Sequence, residues 1–193
     1  PRSFLAMAAQ EAWKRIGILG GSFDPPHLGH VFLGATALLC AQVDGLFVIP
    51  VCVHPLGKPL SPFVHRLAMT QLAFRVLHPE RVLVLDIEAK LPEPNWTYRT
   101  LEALRAHFPK ADLVLVLGED SARELDRWKR PEVIRSLASL FVVGRGLSSM
   151  PLALPPISSS EIRARVRQGQ GVEGLVGSEV DAYIRRHHLY REP

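Results

Sequence analysis

Short apolar runs alternate along the chain with longer segments in which apolar residues recur at the spacing of a helix. Five runs are nearly continuous, which is typical of buried strands: 16–19, 46–49, 82–87, 113–117 and 140–143. Helical patterns lie between them at 28–41, 62–77, 98–107 and 131–137, and two more follow at 159–168 and about 178–187. Strands that alternate with helices predict an α/β fold, a doubly wound parallel sheet of about five or six strands with C-terminal helices.

The chain has 193 residues, enough for one domain with a real core. We expect an N-terminal tail over residues 1–14 and a single domain over 15–193. No apolar run reaches the length of a membrane span, and the first residues lack the apolar stretch of a signal peptide. Cys40 and Cys52 form no CxxC pair, so we expect two reduced cysteines packed as small core residues in a cytoplasmic protein.

The charge balance favours an anionic ligand. Hydrophobic residues make up 47% of the chain and charged residues 22%, with a formal net charge of +4 and a pI near 9.4. The basic residues are interleaved with acidic ones, and no strand shows the aromatic-plus-basic pattern of an RNA-binding module. Nucleic-acid binding is therefore not predicted, since it would depend on the net charge alone.

The most informative segment, residues 20–30, reads Gly-Gly-Ser-Phe-Asp-Pro-Pro-His-Leu-Gly-His. It joins the first predicted strand to the first predicted helix, where an open α/β sheet of the Rossmann-like kind binds phosphate. Gly20 and Gly21 let the backbone approach a ligand closely and point N–H groups at it. His27 and His30 are three residues apart, so both lie on one face of the first helical turn. This segment predicts a polyphosphate site.

A metal site is the alternative interpretation of the same histidines. His27 and His30, with Asp24 nearby, could form part of a ligand set. No further clustered histidine or cysteine completes that set, because His54, His65 and His78 are scattered along the chain. Phosphate contact is therefore favoured, with no metal held by the protein.

A second segment, residues 157–163, reads Ile-Ser-Ser-Ser-Glu-Ile-Arg and precedes a predicted helix. Ser158, Ser159 and Ser160 offer hydroxyl and backbone donors at the helix N-terminus. Arg163 could reach the same anion with its forked guanidinium. An ordinary N-cap is the more common explanation of such a segment when it is taken alone. Its importance comes from its pairing with residues 20–30.

Together the two motifs resemble the nucleotidyltransferase superfamily with the HxGH motif, and most closely the bacterial nicotinate-mononucleotide adenylyltransferases. Three further segments match that family in order and extend the resemblance across nearly the whole chain. They are Asn-Trp-Thr-Tyr-Arg-Thr-Leu at 95–101, Leu-Gly-Glu-Asp-Ser at 117–121 followed by Trp128, and Tyr-Ile-Arg-Arg-His-His-Leu-Tyr at 183–190.

The resemblance implies a role for each matching residue. Residues that would bind ATP are Gly20, Gly21, Ser22, Phe23, Gly118, Asp120, Ile157, Ser158, Ser159 and Ser160. Gly118 and Asp120 would lie near the adenosine, and the others near the triphosphate. Trp96, Thr97 and Trp128 would hold the pyridine ring of the second substrate, which indole faces suit. The groups expected to neutralise charge during the reaction are His27, His30, Lys58 and Arg163.

The implied reaction is attack by the 5′-phosphate of nicotinate mononucleotide on the α-phosphorus of ATP, with loss of pyrophosphate. The attacking oxygen is already anionic, so neither a general base nor a covalent intermediate is needed. Catalysis then depends on positioning and charge neutralisation, with Mg²⁺ carried by ATP and the histidines expected to act as cationic donors.

The chain departs from the family pattern at several positions. Ser22 replaces a more common threonine, and Glu119 replaces a small residue. The loop after the second strand reads His-Pro-Leu-Gly-Lys at 54–58 instead of Pro-Pro-His-Lys, so contact between Lys58 and the phosphates is in doubt. Arg66 keeps a family position, although a solvated charge on a helix face would explain it too.

Other functions remain open. The same chemistry on nicotinamide mononucleotide differs by one small group on the ring, and phosphopantetheine is the acceptor of a sister family. A non-catalytic sensor of ATP and a pyridine nucleotide is a further alternative, which the intact His27, His30 and Arg163 disfavour. The oligomeric state, including a homo-oligomer, is not determined by the sequence.

Overall fold

A computed structural model describes residues 12–144 and 156–191. Its centre is a sheet of five parallel strands. The strands are β1 (Arg15–Gly21), β2 (Gly45–Pro50), β3 (Val82–Val84), β4 (Asp112–Gly118) and β5 (Ala138–Val143).

The strand order is β3-β2-β1-β4-β5, so the chain builds one half of the sheet outward from β1 and then crosses to build the other half. All strands run in the same direction, with Gly21 of β1 beside Pro50 of β2 and Ile18 beside Leu115 of β4. The reversal point therefore lies between the carboxyl ends of β1 and β4, which is where ligands bind in such sheets. The predicted α/β fold is confirmed.

Helices cover the sheet in the described part of the chain. They are α1 (Leu28–Cys40), α2 (Phe63–Phe74), α3 (Thr97–His107), α4 (Glu119–Glu124), α5 (Pro131–Leu137), α6 (Ser159–Arg167) and α7 (Ser178–Arg186). None of the described helices is long and apolar enough to cross a membrane.

Two elements differ from the prediction. Helix α4 was missed because it buries no residue and so shows no apolar periodicity. Strand β3 ends at Val84, although an apolar run through residue 87 was predicted as strand. The apolar character after Val84 has another cause, since Leu85 and Ile87 are buried in the core and Ile87–Lys90 forms a 3-10 turn.

Each strand buries side chains on both faces of the sheet. In β2, Leu46 and Val48 face one core and Phe47 and Ile49 face the other. Helices α1, α2, α6 and α7 close the first core, and α3 and α5 close the second. This burial of successive residues on opposite faces explains why the strands appear as continuous apolar runs.

Trp13 precedes β1 and packs against the sheet. Its indole packs against Phe47 with ring centroids 5.5 Å apart, and it covers Gly45 so closely that a Cβ there would lie 2.1 Å from the ring. Of the expected tail over residues 1–14, residues 1–11 lie outside the described part of the chain.

The prediction that both cysteines are core residues is wrong for Cys40. Its side chain is exposed, because it lies on the solvent face of the last turn of α1 beside the exposed Leu39, while Ala37 and Ala41 face the core. Cys52 is half-buried in the loop after β2, and both thiols are free.

Candidate active site

The turn after β1 has a shape that places its backbone at the carboxyl edge of the sheet. Phe23 has a left-handed backbone with φ of 46°, and its side chain is 1% exposed, buried against Phe74 and the edge of His30. A Cβ on Gly21 would lie 3.1 Å from the Phe23 ring, so glycine suits this position. Of Phe23, only the backbone is available to a ligand.

His27 and His30 come together as one unit at the start of α1. Their ring centroids lie 3.7 Å apart, and the backbone N–H of His27 donates to Nδ1 of His30 over 3.2 Å. This hydrogen bond fixes the orientation of the His30 ring against the start of α1. That either histidine acts as a cationic donor stays a prediction.

The two sequence motifs meet in space. The hydroxyl of Ser159 donates to the carbonyl of Pro25 over 2.8 Å, and the guanidinium of Arg163 donates to the carbonyl of Asp24 over 2.6 Å. These contacts join residues that are more than 130 positions apart in the sequence. They place the N-terminus of α6 directly against the turn that carries His27.

The remaining residues of the second motif support the start of α6. Ser158 is its N-cap, and its hydroxyl accepts from the N–H of Glu161 over 3.2 Å. Ser160 accepts from Arg163 over 3.2 Å. The side chain of Ile157 is buried in the core, so only its backbone can face a ligand. The N-cap interpretation is confirmed for Ser158, alongside any role in binding.

Asp24 connects the turn after β1 to two segments that are distant in the sequence. It is 4% exposed; one carboxylate oxygen accepts from the hydroxyl of Tyr190 over 2.7 Å and the other from the N–H of Ser61 over 3.1 Å. Burial and the neighbouring Asp24 carboxylate raise the pKa of Tyr190. Each carboxylate oxygen of Asp24 therefore already accepts a hydrogen bond from within the protein. Within residues 12–144 and 156–191, no group of three or more His, Cys, Asp or Glu side chains is arranged to hold a metal.

Arg66 connects the turn after β1 to both ends of the loop after β2 from the interior, at 1% exposure. Its guanidinium donates to four carbonyls, those of Ser61 at 2.8 Å, Ser22 at 2.9 Å, Val51 at 2.6 Å and Cys52 at 3.0 Å. Burial lowers its pKa, and the carboxylate of nearby Asp24 opposes that effect. The interpretation as a solvated helix charge is wrong, because α2 points this residue under the site.

A buried polar cluster that sequence reasoning missed lies on the other side of the loop after β2. Glu88 is 7% exposed and accepts from the hydroxyl of Thr100 over 2.8 Å and from the N–H of Cys52 over 3.3 Å. Burial raises the pKa of Glu88 to about 7, while these hydrogen bonds and Arg66 act in the opposite direction. Only the surrounding apolar run, which resembled a strand, marked this segment in the sequence.

The residues expected at the pyridine ring also lie together. Trp96 and Trp128 are half-buried at the edge of the second core. The ammonium of Lys129 stands 6.0 Å from the Trp96 ring centroid, which brings the two segments side by side. Helix α3 begins at Thr97, with no capping side chain and no acidic residue in its first turn. Its positive end is therefore available beside Trp96.

Gly118 and Asp120 occupy the edge across from β1. Gly118 ends β4 and precedes α4, and Asp120 is exposed in the first turn of that helix. The unusual Glu119 pairs with Arg123 one turn later. Both expected adenosine residues therefore flank the reversal point of the sheet.

Lys58 lies in an exposed part of the loop after β2. Near it is His54, whose pKa is lowered by burial and by the positive charges of Lys58 and Arg66. The structure thus brings His27, His30 and Arg163 together at the turn after β1. Lys58 lies apart from them in the exposed loop after β2.

Comparison with known proteins agrees with this geometry. Residues 18–165 match the family model described as cytidylyltransferase-like. A protein of Anaeromyxobacter dehalogenans named "probable nicotinate-nucleotide adenylyltransferase" is 42% identical over 184 residues, covering 92% of this chain and 97% of its own. A protein of the same name from Thermus thermophilus is 36% identical over 187 residues, covering 92% and 100%.

Among solved structures, the nicotinic acid mononucleotide adenylyltransferase of Plasmodium falciparum complexed with NaAD has the same fold, with a TM-score of 0.73. It is 19% identical, and the alignment covers 92% of this chain and 97% of that one. The identity and coverage of the sequence relatives show that this chain belongs to the cytidylyltransferase-like superfamily and, within it, to the nicotinate-nucleotide adenylyltransferase family.

Proposed function

We propose that the protein joins ATP and nicotinate mononucleotide to give nicotinate adenine dinucleotide and pyrophosphate, a step of NAD biosynthesis. The observation that carries this proposal is the docking of α6 onto the turn after β1, through Ser159 with Pro25 and Arg163 with Asp24. Two helix N-termini, two imidazoles and a guanidinium then surround one space at the edge of the sheet, which suits a triphosphate.

The part of the site formed by residues 20–30 and 157–163, called here the phosphate end, would position the triphosphate and neutralise its charge. The ring of His30 would donate to phosphate from a fixed orientation, since its Nδ1 is held by the backbone N–H of His27. Donors fixed before the reaction stabilise charge on the phosphoryl oxygens without reorganisation. We assign the α-phosphate and the leaving pyrophosphate to His27, His30 and Arg163, with backbone donors from residues 20–23 and 157–160. Lys58 would join them only by movement of its loop.

The acceptor phosphate attacks the α-phosphorus of ATP. A bond forms from its oxygen to that phosphorus, the bond to the β-phosphate oxygen breaks, and its electron pair leaves with pyrophosphate. Mg²⁺ would enter on the triphosphate and neutralise the leaving group. This source of the metal suits a site whose buried carboxylate, Asp24, already bonds Tyr190 and Ser61.

The part of the site formed by Trp96, Thr97 and Trp128, called here the pyridine end, favours nicotinate mononucleotide over nicotinamide mononucleotide as the acceptor. Trp96 and Trp128 offer indole faces to a flat ring, and the start of α3 at Thr97 is an uncapped positive helix end beside them. A carboxylate is stabilised at such an end more than a neutral amide is. Gly118 and Asp120 are assigned to the adenosine, across the sheet. We further propose that the enzyme acts in the cytoplasm, where both free cysteines stay reduced.

The test is release of pyrophosphate from Mg-ATP with three acceptors in parallel: nicotinate mononucleotide, nicotinamide mononucleotide and phosphopantetheine. We expect a strong preference for the first and severe loss of turnover in His30→Ala, with an unchanged circular dichroism spectrum. Preference for another acceptor would move the protein to a different substrate. No turnover with any of them, from folded protein that binds ATP, would favour the sensor.

A further inference from the structure

A buried polar cluster made of Glu88, Asn95 and Thr100 lies between the phosphate end and the pyridine end. We infer that Glu88 is a positioning residue: by fastening the loop after β2 to α3, it sets where Trp96 and Thr97 stand relative to the phosphate site. This inference rests on the proposed function, because it assigns the pyridine ring to those two residues.

The first contact joins Glu88 to α3. The hydroxyl of Thr100 donates to its carboxylate over 2.8 Å, and Thr100 lies one turn after Thr97. The backbone N–H of Thr100 in turn donates to the carbonyl of Trp96 over 3.3 Å. Because a helical turn is rigid once its hydrogen bonds are made, holding Thr100 holds the start of the helix.

The second contact joins Glu88 to the loop after β2. Its carboxylate accepts from the N–H of Cys52 over 3.3 Å, and its own carbonyl accepts from the side chain of Asn95 over 2.9 Å. Asn95 also exchanges two hydrogen bonds with the backbone of Val53, at 2.7 and 3.2 Å. The loop and the residue just before Trp96 are therefore tied to each other through Asn95 and to Glu88.

Arg66 holds the same loop from the opposite side. The N–H of Cys52 donates to the carboxylate of Glu88, and the carbonyl of Cys52 accepts from the guanidinium of Arg66. Arg66 also holds Ser22 and Ser61, so the phosphate end keeps an anchor that does not depend on Glu88. Loss of Glu88 should therefore displace the pyridine end and leave the ATP end in place.

The experiment measures kcat and the separate KM values for ATP and nicotinate mononucleotide in four variants. Glu88→Ala removes both side-chain contacts, and Thr100→Val removes one of them while keeping the shape. Glu88→Gln can keep both, since its amide oxygen accepts from Cys52 and its amide nitrogen donates to Thr100. Glu102→Gln, on the exposed face of α3, is the matched control.

We expect Glu88→Ala to raise the KM for nicotinate mononucleotide about tenfold or more, because small displacements of a binding residue are costly. The KM for ATP should stay unchanged. Thr100→Val should give the same pattern more weakly, and both Glu88→Gln and Glu102→Gln should stay close to the wild type. A merely structural role would lower thermal stability without separating the two KM values.

Equal rises in both KM values, or no rise in either, would overturn the inference. So would a Glu88→Gln variant as impaired as Glu88→Ala, because the amide keeps the contacts. If Glu88→Ala does not fold, Thr100→Val decides by the same criterion. Wild-type enzyme without activity on nicotinate mononucleotide would instead overturn the proposed function, and active wild type with an unaffected Glu88→Ala would overturn only the positioning role.

Discussion

At the scale of single residues, three buried charged side chains organise the backbone of this site. Asp24, Arg66 and Glu88 each bond at least two segments that are distant in sequence. A buried charge is tolerated only with such partners, and here the partners are mainly the N–H and carbonyl groups of loops. Each of these side chains therefore fixes the shape of a loop that lines the proposed active site.

Arg66→Lys should destabilise the protein by about 3 kcal/mol or more, since a compact ammonium cannot reach four carbonyls and leaves some without a donor. Urea denaturation measures this free energy of unfolding. Arg75→Lys is the matched control, because Arg75 is an exposed residue that follows the same helix and pairs with Glu179. Equal stability of the two variants would contradict the interior role of Arg66.

The pKa of Glu88 predicts a pH dependence of stability. It rises from the ordinary value of 4.5 to about 7 in the folded state, so between these values the folded protein binds a proton that the unfolded chain has released. Stability from this group is therefore lost as pH rises from about 4.5 to 7, and it is constant above that, with a total loss of about 3 kcal/mol.

Glu88→Gln lacks this titration and isolates it. The difference in free energy of unfolding between this variant and the wild type should shift in favour of the variant as the pH rises through that window. Denaturation curves of both proteins at a series of pH values measure the difference. Two parallel pH profiles would show that Glu88 titrates as it does in the unfolded chain.

At the scale of elements, the C-terminal helices do more than cover a core. Helix α6 begins against the turn after β1, and the segment after α7 sends Tyr190 to Asp24 in that same turn. Segments from near the two ends of the described chain therefore form the proposed phosphate site jointly. Such long-range ties make the turn depend on elements that fold onto it from the far end of the chain.

Tyr190→Phe should raise the KM for ATP and leave the KM for nicotinate mononucleotide unchanged, the reverse of the pattern expected for Glu88→Ala. The variant loses one hydrogen bond to a buried carboxylate, and about 1–3 kcal/mol of stability with it. Tyr183→Phe is the control, since that hydroxyl bonds His65 on α2 instead. Steady-state kinetics with each substrate varied in turn measure both KM values. An unchanged KM for ATP would contradict a role of the Tyr190–Asp24 hydrogen bond in ATP binding.

At the scale of the whole molecule, each of the two cores supports a different part of the proposed site. The phosphate end is built on the core under α1, α2, α6 and α7, whereas Trp96 and Trp128 stand at the rim of the core under α3 and α5. The sheet between them places both ends at one edge, because all of its strands point the same way. Each substrate is therefore assigned mainly to one side of the sheet.

Trp128→Ala should raise the KM for the pyridine nucleotide by about tenfold, since an aromatic contact of 1–1.5 kcal/mol is lost together with buried ring surface. The KM for ATP and the melting temperature should change little, because Trp128 is only half-buried at the rim. An effect confined to ATP would contradict the assignment of this indole to the ring.

Local pattern and tertiary structure contributed different parts of the site. Segments 20–30 and 157–163 were recognisable because each carries its own chemistry within a few residues. Helix α4, the exposure of Cys40 and the burial of Arg66 were not, because each depends on what packs against the element and not on its own composition. Glu88 was missed for the same reason, as its partners lie 12 and 36 residues away.

The sequence by itself determined the parallel α/β sheet, the alternation of strands and helices along most of the chain, and the two motifs that meet at its edge. Apolar periodicity and local turn chemistry act over a few residues, so they are legible in the chain. Only the tertiary structure decided the orientation of the His30 ring against the backbone of His27, the hydrogen bond from Tyr190 to Asp24, and the contacts of Arg66 and Glu88 with one loop. Those features depend on hydrogen bonds between distant residues, whose geometry exists only after the chain has folded.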